Sequence, residues 1–496
     1  MSNSVHDCQW QNLRDMSRIF FVGIGGISMS GLAELALKSG CQVAGSDRSM
    51  TPRTDYLVRL GIPVYAGHSA DWIDRFQPDL VVHTAAVHED NPELIRAGEL
   101  AIQSIDRATF LGWINRSYNQ VVNIAGTHGK TTTTAMTSLI LMDAGIDPTV
   151  HLGAELIQFH STVRVGAPGQ VMVSEACEYM NSFLKFYSTT AAILNIDYDH
   201  VDFFQDIGAV IDTFTEFADR LPAGGKLVVP AFDREVGTMV GQLQTRRELE
   251  GTPMPQLIWF GTETDLVNGS KPDFYFRNLE FNRGLPRFDV WQGDSFYCHL
   301  QLLIPGRHNV DNSLAAIACA SGCGGTPESA VRALNNFQGA EGRFTYTGDY
   351  HGAQVIADYA HHPAAVHVTL AAAGNMPHPH TWVVFQPLTY SRTKVLLEKF
   401  ARALRDCELV ILAEIFSDRE TNSGDISSAM LADRINELGG HAEFRPDFTD
   451  IQARLDQLVS PGDLILVLGP EDIRNLADHL TGRNIHAQDK VRSNTE

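Results

Sequence analysis

The run Gly126-Thr127-His128-Gly129-Lys130-Thr131-Thr132 directly follows the apolar stretch Val121-Val122-Asn123-Ile124-Ala125. A strand, a glycine turn and a helix opened by Lys-Thr present backbone N–H groups and the positive end of a helix dipole to phosphate oxygens. In such a cradle Lys130 reaches the β/γ oxygens of a nucleoside triphosphate and Thr131 offers its hydroxyl to Mg²⁺. The loop is short: only Thr127 and His128 separate Gly126 from Gly129, whereas the common phosphate loop places four residues between its first glycine and Gly-Lys-Thr.

Further groups stand at the ends of other strand-like runs, where ligands collect in open α/β sheets. Glu175 and Glu178 follow Val171-Met172-Val173, and Asp197-Tyr198-Asp199-His200 follows Ala191-Ala192-Ile193-Leu194-Asn195. Thr131, Glu175 and His200 together supply hard oxygen and imidazole ligands for one or two Mg²⁺ (or Mn²⁺) beside a γ-phosphate. Arg307-His308-Asn309-Val310-Asp311-Asn312 precedes a small-residue helical stretch, so His308, Asn309 and Asn312 are candidates for the nucleotide, with Asn309 as an adenine partner or a helix N-cap. Asp358-Tyr359-Ala360-His361-His362-Pro363 and Gln386-Pro387-Leu388-Thr389-Tyr390-Ser391-Arg392 offer acid, imidazole and guanidinium groups at a third rim.

Gly23-Ile24-Gly25-Gly26-Ile27-Ser28 also follows a strand-like run and opens a helix, and Asp47 stands 24 residues beyond Gly23 at the end of the next run. Those residues alone fit NAD, a nucleotide sugar, or a glycine packing helix on strand. The second phosphate loop downstream weighs against NAD.

These groups need a large scaffold, and 496 residues imply about three domains at about 150 residues each. A hydrophobic fraction of 44% with 20% charged residues is ordinary for a globular protein. The net charge of −21 repels nucleic acid and anionic membrane surfaces, so anionic ligands must be held locally. No uninterrupted apolar run of about 18 residues exists, and the polar residues 1–18 lack a signal-peptide core, which points to a cytoplasmic protein with no membrane insertion. Seven scattered cysteines suit free thiols in a reducing compartment, and Cys319 and Cys323, one helical turn apart without a second metal-ligand pair nearby, read as packing. Nothing in the sequence specifies an oligomeric state.

Strand-like runs alternate with amphipathic stretches nearly throughout, the pattern of parallel α/β sheets. One series runs from Arg18-Ile19-Phe20-Phe21-Val22 through Gln42-Val43-Ala44 and Leu80-Val81-Val82 to about Arg116. A second starts at Val121 and includes Lys226-Leu227-Val228-Val229. The segment between about Gln256 and Ile304 reads as antiparallel strands added to it, and a third series repeats strand-helix units after Arg343, ending in a polar tail from about Arg483.

The chain resembles the Mur ligases of peptidoglycan synthesis along nearly its whole length. The resemblance is carried by Gly23-Ile24-Gly25-Gly26 with Met29, Gly45-Ser46-Asp47, Asp90-Asn91-Pro92-Glu93, Gly126 to Thr132, Asn195-Ile196 with Asp199-His200, Gly306-Arg307-His308-Asn309, Gly342-Arg343-Phe344, Asp358-Tyr359 with His361-His362-Pro363, and Phe385-Gln386-Pro387. It implies an N-terminal Rossmann-like domain (1–116), a central P-loop ATPase-like domain with a mostly parallel sheet plus antiparallel strands (117–342), and a C-terminal Rossmann-like domain (343–496). It further implies that Gly23, Gly25, Gly26, Ser46, Asp47 and Arg343 hold UDP-N-acetylmuramate. Gly126 through Thr132 with His308, Asn309 and Asn312 would hold ATP, and Tyr359, His361 and Arg392 the amino acid. Lys130, Glu175 and His200 would be catalytic.

Within the family, the branch that joins L-alanine to the sugar's carboxylate through an acyl phosphate matches best. The branch attaching a preformed tripeptide is the alternative, from which Gly23-Ile24-Gly25-Gly26 and Ser182-Phe183-Leu184-Lys185 differ. No lysine lies between His200 and Lys226, where later ligases of the pathway carry a modified one. Two positions depart from the commoner pattern: Cys177 replaces an acid in Glu175-Ala176-Cys177-Glu178, and Leu388-Thr389 replaces His-Arg, leaving Arg392 as the guanidinium expected for the amino-acid carboxylate.

Overall fold

A computed structural model describes residues 17–483 apart from 85–86, 157, 160, 418–419 and 423. Most of the polar N-terminal stretch, Cys8 and nearly all of the polar tail therefore lie outside the described residues.

Three sheets follow one another along the chain. The first has five parallel strands in the order Val64–Ala66, Gln42–Asp47, Arg18–Val22, Leu80–His83, Gln103–Asp106. Its central strand is buried along almost its length, hence the continuous apolar run Ile19 to Val22. The two outer strands went unread in the sequence because they are short and partly exposed, with little apolar signature.

The second sheet has ten strands. From one edge the order is Ser295–Gln301, Leu285–Gln292, Phe274–Asn282, Gln256–Thr262, Lys226–Pro230, Thr190–Ile193, Gln120–Ala125, Val171–Glu175, Thr149–Leu156, Ser161–Arg164. The expectation of antiparallel strands across Gln256 to Ile304 is corrected in part. Gln256–Thr262 pairs parallel with both of its neighbours, and only Phe274–Asn282, Leu285–Gln292 and Ser295–Gln301 form an antiparallel meander. Both faces are covered: Met172, Ala191 and Ile193 enter one core and Val173, Ala192 and Ile124 the other, following the two-residue period of a strand. The first core also takes in Phe21, Leu32 and Phe110, so the first domain packs directly on the central one.

The third sheet runs Thr345–Tyr350, Ala353–Asp358, Leu464–Leu468, Thr381–Phe385, Leu409–Leu412, Ala442–Phe444. Only its first strand is antiparallel.

Candidate active site

Three adjacent parallel strands of the central sheet deliver the chemistry to one edge. Ile193 pairs with Ala125 and Ile124 with Glu175, so the segments leaving Thr190–Ile193, Gln120–Ala125 and Val171–Glu175 emerge side by side. The middle one is the phosphate loop. Gly129 opens the helix Lys130–Asp143 at φ +85°, a left-handed conformation costly for a side-chain-bearing residue, and a Cβ there would sit 2.5 Å from Asn312 Oδ1. Asn195 holds the loop from the neighbouring strand: its Oδ1 accepts from the His128 amide at 2.8 Å and its Nδ2 donates to the His128 carbonyl at 3.0 Å.

Lys130 Nζ donates to the Gly126 carbonyl at 2.6 Å and to Glu178 Oε2 at 3.0 Å. Burial works against the ammonium, but Glu178 and its acidic neighbours outweigh that and hold the Lys130 pKa above its usual value. Thr131 Oγ1 donates to Glu175 Oε2 at 2.8 Å, and the Gly153 amide donates to the same oxygen at 2.9 Å. His200 stands at φ +49° with its ring 4.6 Å from that of Tyr179. Its Nδ1 is buried without a hydrogen-bond partner among the described residues and its Nε2 is 3.8 Å from Glu178 Oε1. Burial lowers the His200 pKa, only partly opposed by Asp199 and Glu178, so the ring is neutral at pH 7.

The helix Arg307–Ser321 begins at Arg307 with Gly306 as its N-cap, one turn earlier than the sequence suggested. Asn309 is therefore not the cap. Its Nδ2 donates to the Pro305 carbonyl at 2.7 Å, and Asn312 Nδ2 donates to Asn309 Oδ1 at 3.1 Å. Burial lowers the His308 pKa to about 4.

The third domain closes the opposite side. His361 Nδ1 lies 2.6 Å from the Tyr359 carbonyl, and burial followed by the Arg392 charge keeps that imidazole neutral. Arg392, 2% exposed on the short helix Tyr390–Val395, donates from Nε to Asp199 Oδ1 at 2.6 Å and from Nη1 to the Leu388 carbonyl at 3.2 Å. The Arg392–Asp199 pair thus ties the third domain to the residue next to His200. One cavity of about 1140 Å³ takes in Thr127 to Thr132, Glu175, Asn195 to His200, His308, Asn309, Asn312, Tyr359, His361 and Arg392.

Arg343 lines this cavity too, its guanidinium carbon 4.8 Å from the Tyr359 ring centre. It sits on the segment entering the third sheet, beside the buried Asp358. Gly23, Gly25, Gly26, Ser46 and Asp47 form a separate cluster in the first domain. Asp47 Oδ2 accepts the Gly25 amide at 2.8 Å, and Ser46 Oγ lies 3.2 Å from His68 Nδ1.

Family models match in three successive stretches: the Mur ligase family catalytic domain over residues 18–119, the Mur ligase middle domain over 124–320, and the Mur ligase glutamate ligase domain over 342–470. The UDP-N-acetylmuramate–L-alanine ligase of Acetivibrio thermocellus is 40% identical over 461 residues, 93% of this chain and 94% of the relative. The ligase of the same name from Clostridium novyi is 40% identical, covering 93% and 96%. The chain belongs to the Mur ligase family. Among solved structures, the UDP-N-acetylmuramate-alanine ligase of Thermotoga maritima is 28% identical with a TM-score of 0.75, covering 96% of this chain and all of the other. A murein peptide ligase from Psychrobacter arcticus, 22% identical with a TM-score of 0.68, shares the fold over 95% of this chain.

This Mur ligase absorbs its unusual residues through backbone groups and burial. The Cys177 thiol is pushed up to about 11 by burial and then by Glu178, so it stays protonated, while the neighbouring acids pair with Lys130 and Thr131. Leu388 contributes its carbonyl to Arg392, and Thr389 accepts from Thr393 Oγ1 at 2.7 Å.

Sequence reading missed a second cluster, at the junction of the first two domains. Ser28 Oγ lies 3.1 Å from His151 Nε2 and accepts from Arg107 Nη1 at 3.0 Å. Burial, then Arg107, lowers the His151 pKa to about 3. These residues are 79 and 123 positions from Ser28 and carry no spacing signal.

Proposed function

We propose that this Mur ligase joins L-alanine to the carboxylate of UDP-N-acetylmuramate at the expense of ATP, releasing ADP and phosphate. The observation that carries the reading is the single cavity in which the phosphate loop, the Thr131–Glu175–His200 group and the third-domain rim meet. Relatives at 40% identity that bear the alanine-ligase name support it.

A carboxylate does not yield to an amine at neutral pH, because its leaving group would be oxide. Phosphorylation by ATP replaces that oxide with phosphate. The first bond to form joins a carboxylate oxygen to the γ-phosphorus as ADP leaves. The L-alanine nitrogen then attacks the carbonyl carbon, loses a proton, and expels phosphate. Lys130, kept charged by Glu178, offsets negative charge on the transferring group. The amides of the Gly126–Thr131 loop cradle the phosphates, and His308, Asn309 and Asn312 border the nucleotide. Arg392, with Tyr359 and His361, orients the amino-acid carboxylate, and enclosure between the domains excludes water that would hydrolyse the acyl phosphate.

Thr131, Glu175 and His200 fit Mg²⁺ (or Mn²⁺): a hydroxyl and a carboxylate lie 2.8 Å apart, and the buried His200 Nδ1 has no protein partner. The ion would supply charge neutralisation at the phosphates. Gly23, Gly25, Gly26, Ser46 and Asp47 serve the UDP-sugar in a first domain spanning 1–116, with Arg343 reaching it from the central cavity, and the central and third domains span 117–342 and 343–496. No helix among the described residues is long and apolar enough to cross a membrane, in keeping with a cytoplasmic enzyme.

Phosphate release measured over a grid of UDP-sugar acceptors and amino acids tests the reading. It should require both UDP-N-acetylmuramate and L-alanine, with glycine and serine poorer by about 1–3 kcal/mol. Release driven instead by a preformed tripeptide would assign the chain to the tripeptide-ligating branch.

A further inference from the structure

The cavity holds a second group of side-chain donor atoms that the proposed reaction does not use. His128 of the phosphate loop, Asp197 after Thr190–Ile193, and His362 at the start of the third-domain helix Pro363–Gly374 each place one donor atom within 4.8 Å of the others. Asp197 Oδ2 lies 3.7 Å from His362 Nδ1 and 3.9 Å from His128 Nε2. Both separations are too long for hydrogen bonds.

The surrounding partners fix what these atoms present. His362 Nε2 is 3.2 Å from the Tyr198 carbonyl, which can only accept, so Nε2 carries the proton and Nδ1 is the ring's acceptor nitrogen, 3.7 Å from Asp197 Oδ2. The Ala364 amide approaches the same Nδ1 at a long 3.3 Å, as a helix cap. Burial holds the His362 pKa down to about 4, so the ring is neutral at pH 7. The Tyr198 amide donates to Asp197 Oδ1 at 2.7 Å, and the carboxyl lies below its usual range and is ionised. The acceptor nitrogen, held only by that long cap bond, and a carboxylate oxygen thus lie across a gap, and His128 Nε2, buried without a hydrogen-bond partner among the described residues, is 3.9 Å from the same oxygen. A cation between the three resolves this arrangement.

We propose that His128, Asp197 and His362 form a divalent-cation site for zinc or a similar first-row ion, and that the bound ion fastens the phosphate loop to the third domain. Two imidazoles and one carboxylate are zinc-type donors, unlike the oxygen-rich ligation that Mg²⁺ prefers. Donor atoms around a tetrahedral ion bonded at about 2.0–2.1 Å lie about 3.3–3.4 Å apart, so the two gaps to Asp197 close by a few tenths of an ångström and the two rings, now within 4.8 Å, draw together, with the remaining position left to solvent. Because His128 belongs to the central domain and His362 to the third, occupancy resists their separation. The site shares no residue with Thr131, Glu175 and His200 and stands or falls independently of the proposed reaction.

The test uses full-length protein freed of metal by chelator dialysis, with zinc counted by equilibrium dialysis and the geometry reported by the visible absorption of added cobalt(II). One equivalent should bind with the intense absorption of a tetrahedral site. Binding should survive in His200→Ala and fall at least tenfold in affinity in His362→Ala and in Asp197→Asn. Circular dichroism checks the fold of each variant. Should His362→Ala not fold, the nearly isosteric Asp197→Asn decides. Failure of the native protein to retain zinc, or loss of binding in His200→Ala with retention in Asp197→Asn, would overturn the proposal.

Discussion

Two glycine loops in this chain look alike and differ in what surrounds them. Each follows a buried parallel strand and opens a helix, Ile27–Lys38 in the first domain and Lys130–Asp143 in the second. In the first, Asp47 accepts the Gly25 amide, and the helix begins Ile27-Ser28-Met29 with no charged residue in its first turn. In the second, Lys130 and Thr131 reach back over the loop and meet Glu178 and Glu175 from the adjacent strand's end. A glycine turn at a helix N-terminus supplies amides. The chemistry comes from the charged groups brought to the same edge: the neighbouring strand gives the first loop a carboxylate, Asp47, whereas at the second a lysine and a threonine hydroxyl meet two carboxylates.

The sharpest way to break this contrast is Lys130→Ala. Loss of one charge-stabilising donor costs on the order of 10²–10³-fold in rate, about 3–4 kcal/mol. Binding of UDP-N-acetylmuramate, measured by calorimetry, should be unchanged because the first loop is intact. Near-native phosphate release would remove the second loop from catalysis.

The surroundings of the second loop also carry a pH signature. His308 titrates at about 4 in the folded protein against about 6.5 unfolded, so the unfolded chain binds more protons between those values. Its folded pKa is depressed, so stability is fully present above about pH 6.5 and is lost as the pH falls toward 4. Burial of this neutral ring is worth up to about 3 kcal/mol over that window. Thermal melts should show Tm falling through it, and falling less in His308→Gln. An equal fall in the variant would contradict the assignment.

Arg392→Lys sharpens the division between nucleotide and amino-acid groups. Lysine keeps the charge and loses the planar fork that bonds Asp199 and the Leu388 carbonyl. The KM for L-alanine should rise about ten- to a hundredfold, as for a charged hydrogen bond worth about 1.5–3 kcal/mol, with the KM for ATP little changed. The reverse pattern would move Arg392 to the nucleotide site.

The smallest effects come from the glycines themselves. A Cβ at Gly129 meets Asn312 Oδ1 at 2.5 Å in a left-handed backbone, and one at Gly25 meets Asp47 Oδ2 at 2.8 Å. Strain of about 1–3 kcal/mol is expected at Gly129. Gly129→Ala should weaken ATP and spare the UDP-sugar, and Gly25→Ala should do the opposite. Identical effects on both ligands would erase the distinction between the loops.

The same contrast shows what the sequence made legible. The strands Arg18–Val22 and Gln120–Ala125 stand out because buried parallel strands read as apolar runs ending in glycine. The phosphate loop and its Thr131–Glu175 contact follow from strand-end logic. Val64–Ala66 and Gln103–Asp106 were invisible because edge strands this short bury too little to leave a pattern. Pairings across the fold left no trace either. Asp199 and Arg392 are 193 positions apart, and His128 meets His362 only because the third domain folds back over the central sheet.

The central claim is that this cavity transfers a phosphoryl group to the sugar's carboxylate before the amine attacks. UDP-N-acetylmuramate carrying heavy oxygen in that carboxylate tests it directly, by mass spectrometry of the phosphate released during turnover with ATP and L-alanine. The acyl phosphate route predicts that one labelled oxygen passes into each phosphate, while phosphate free of label, formed alongside the alanyl product, would contradict it.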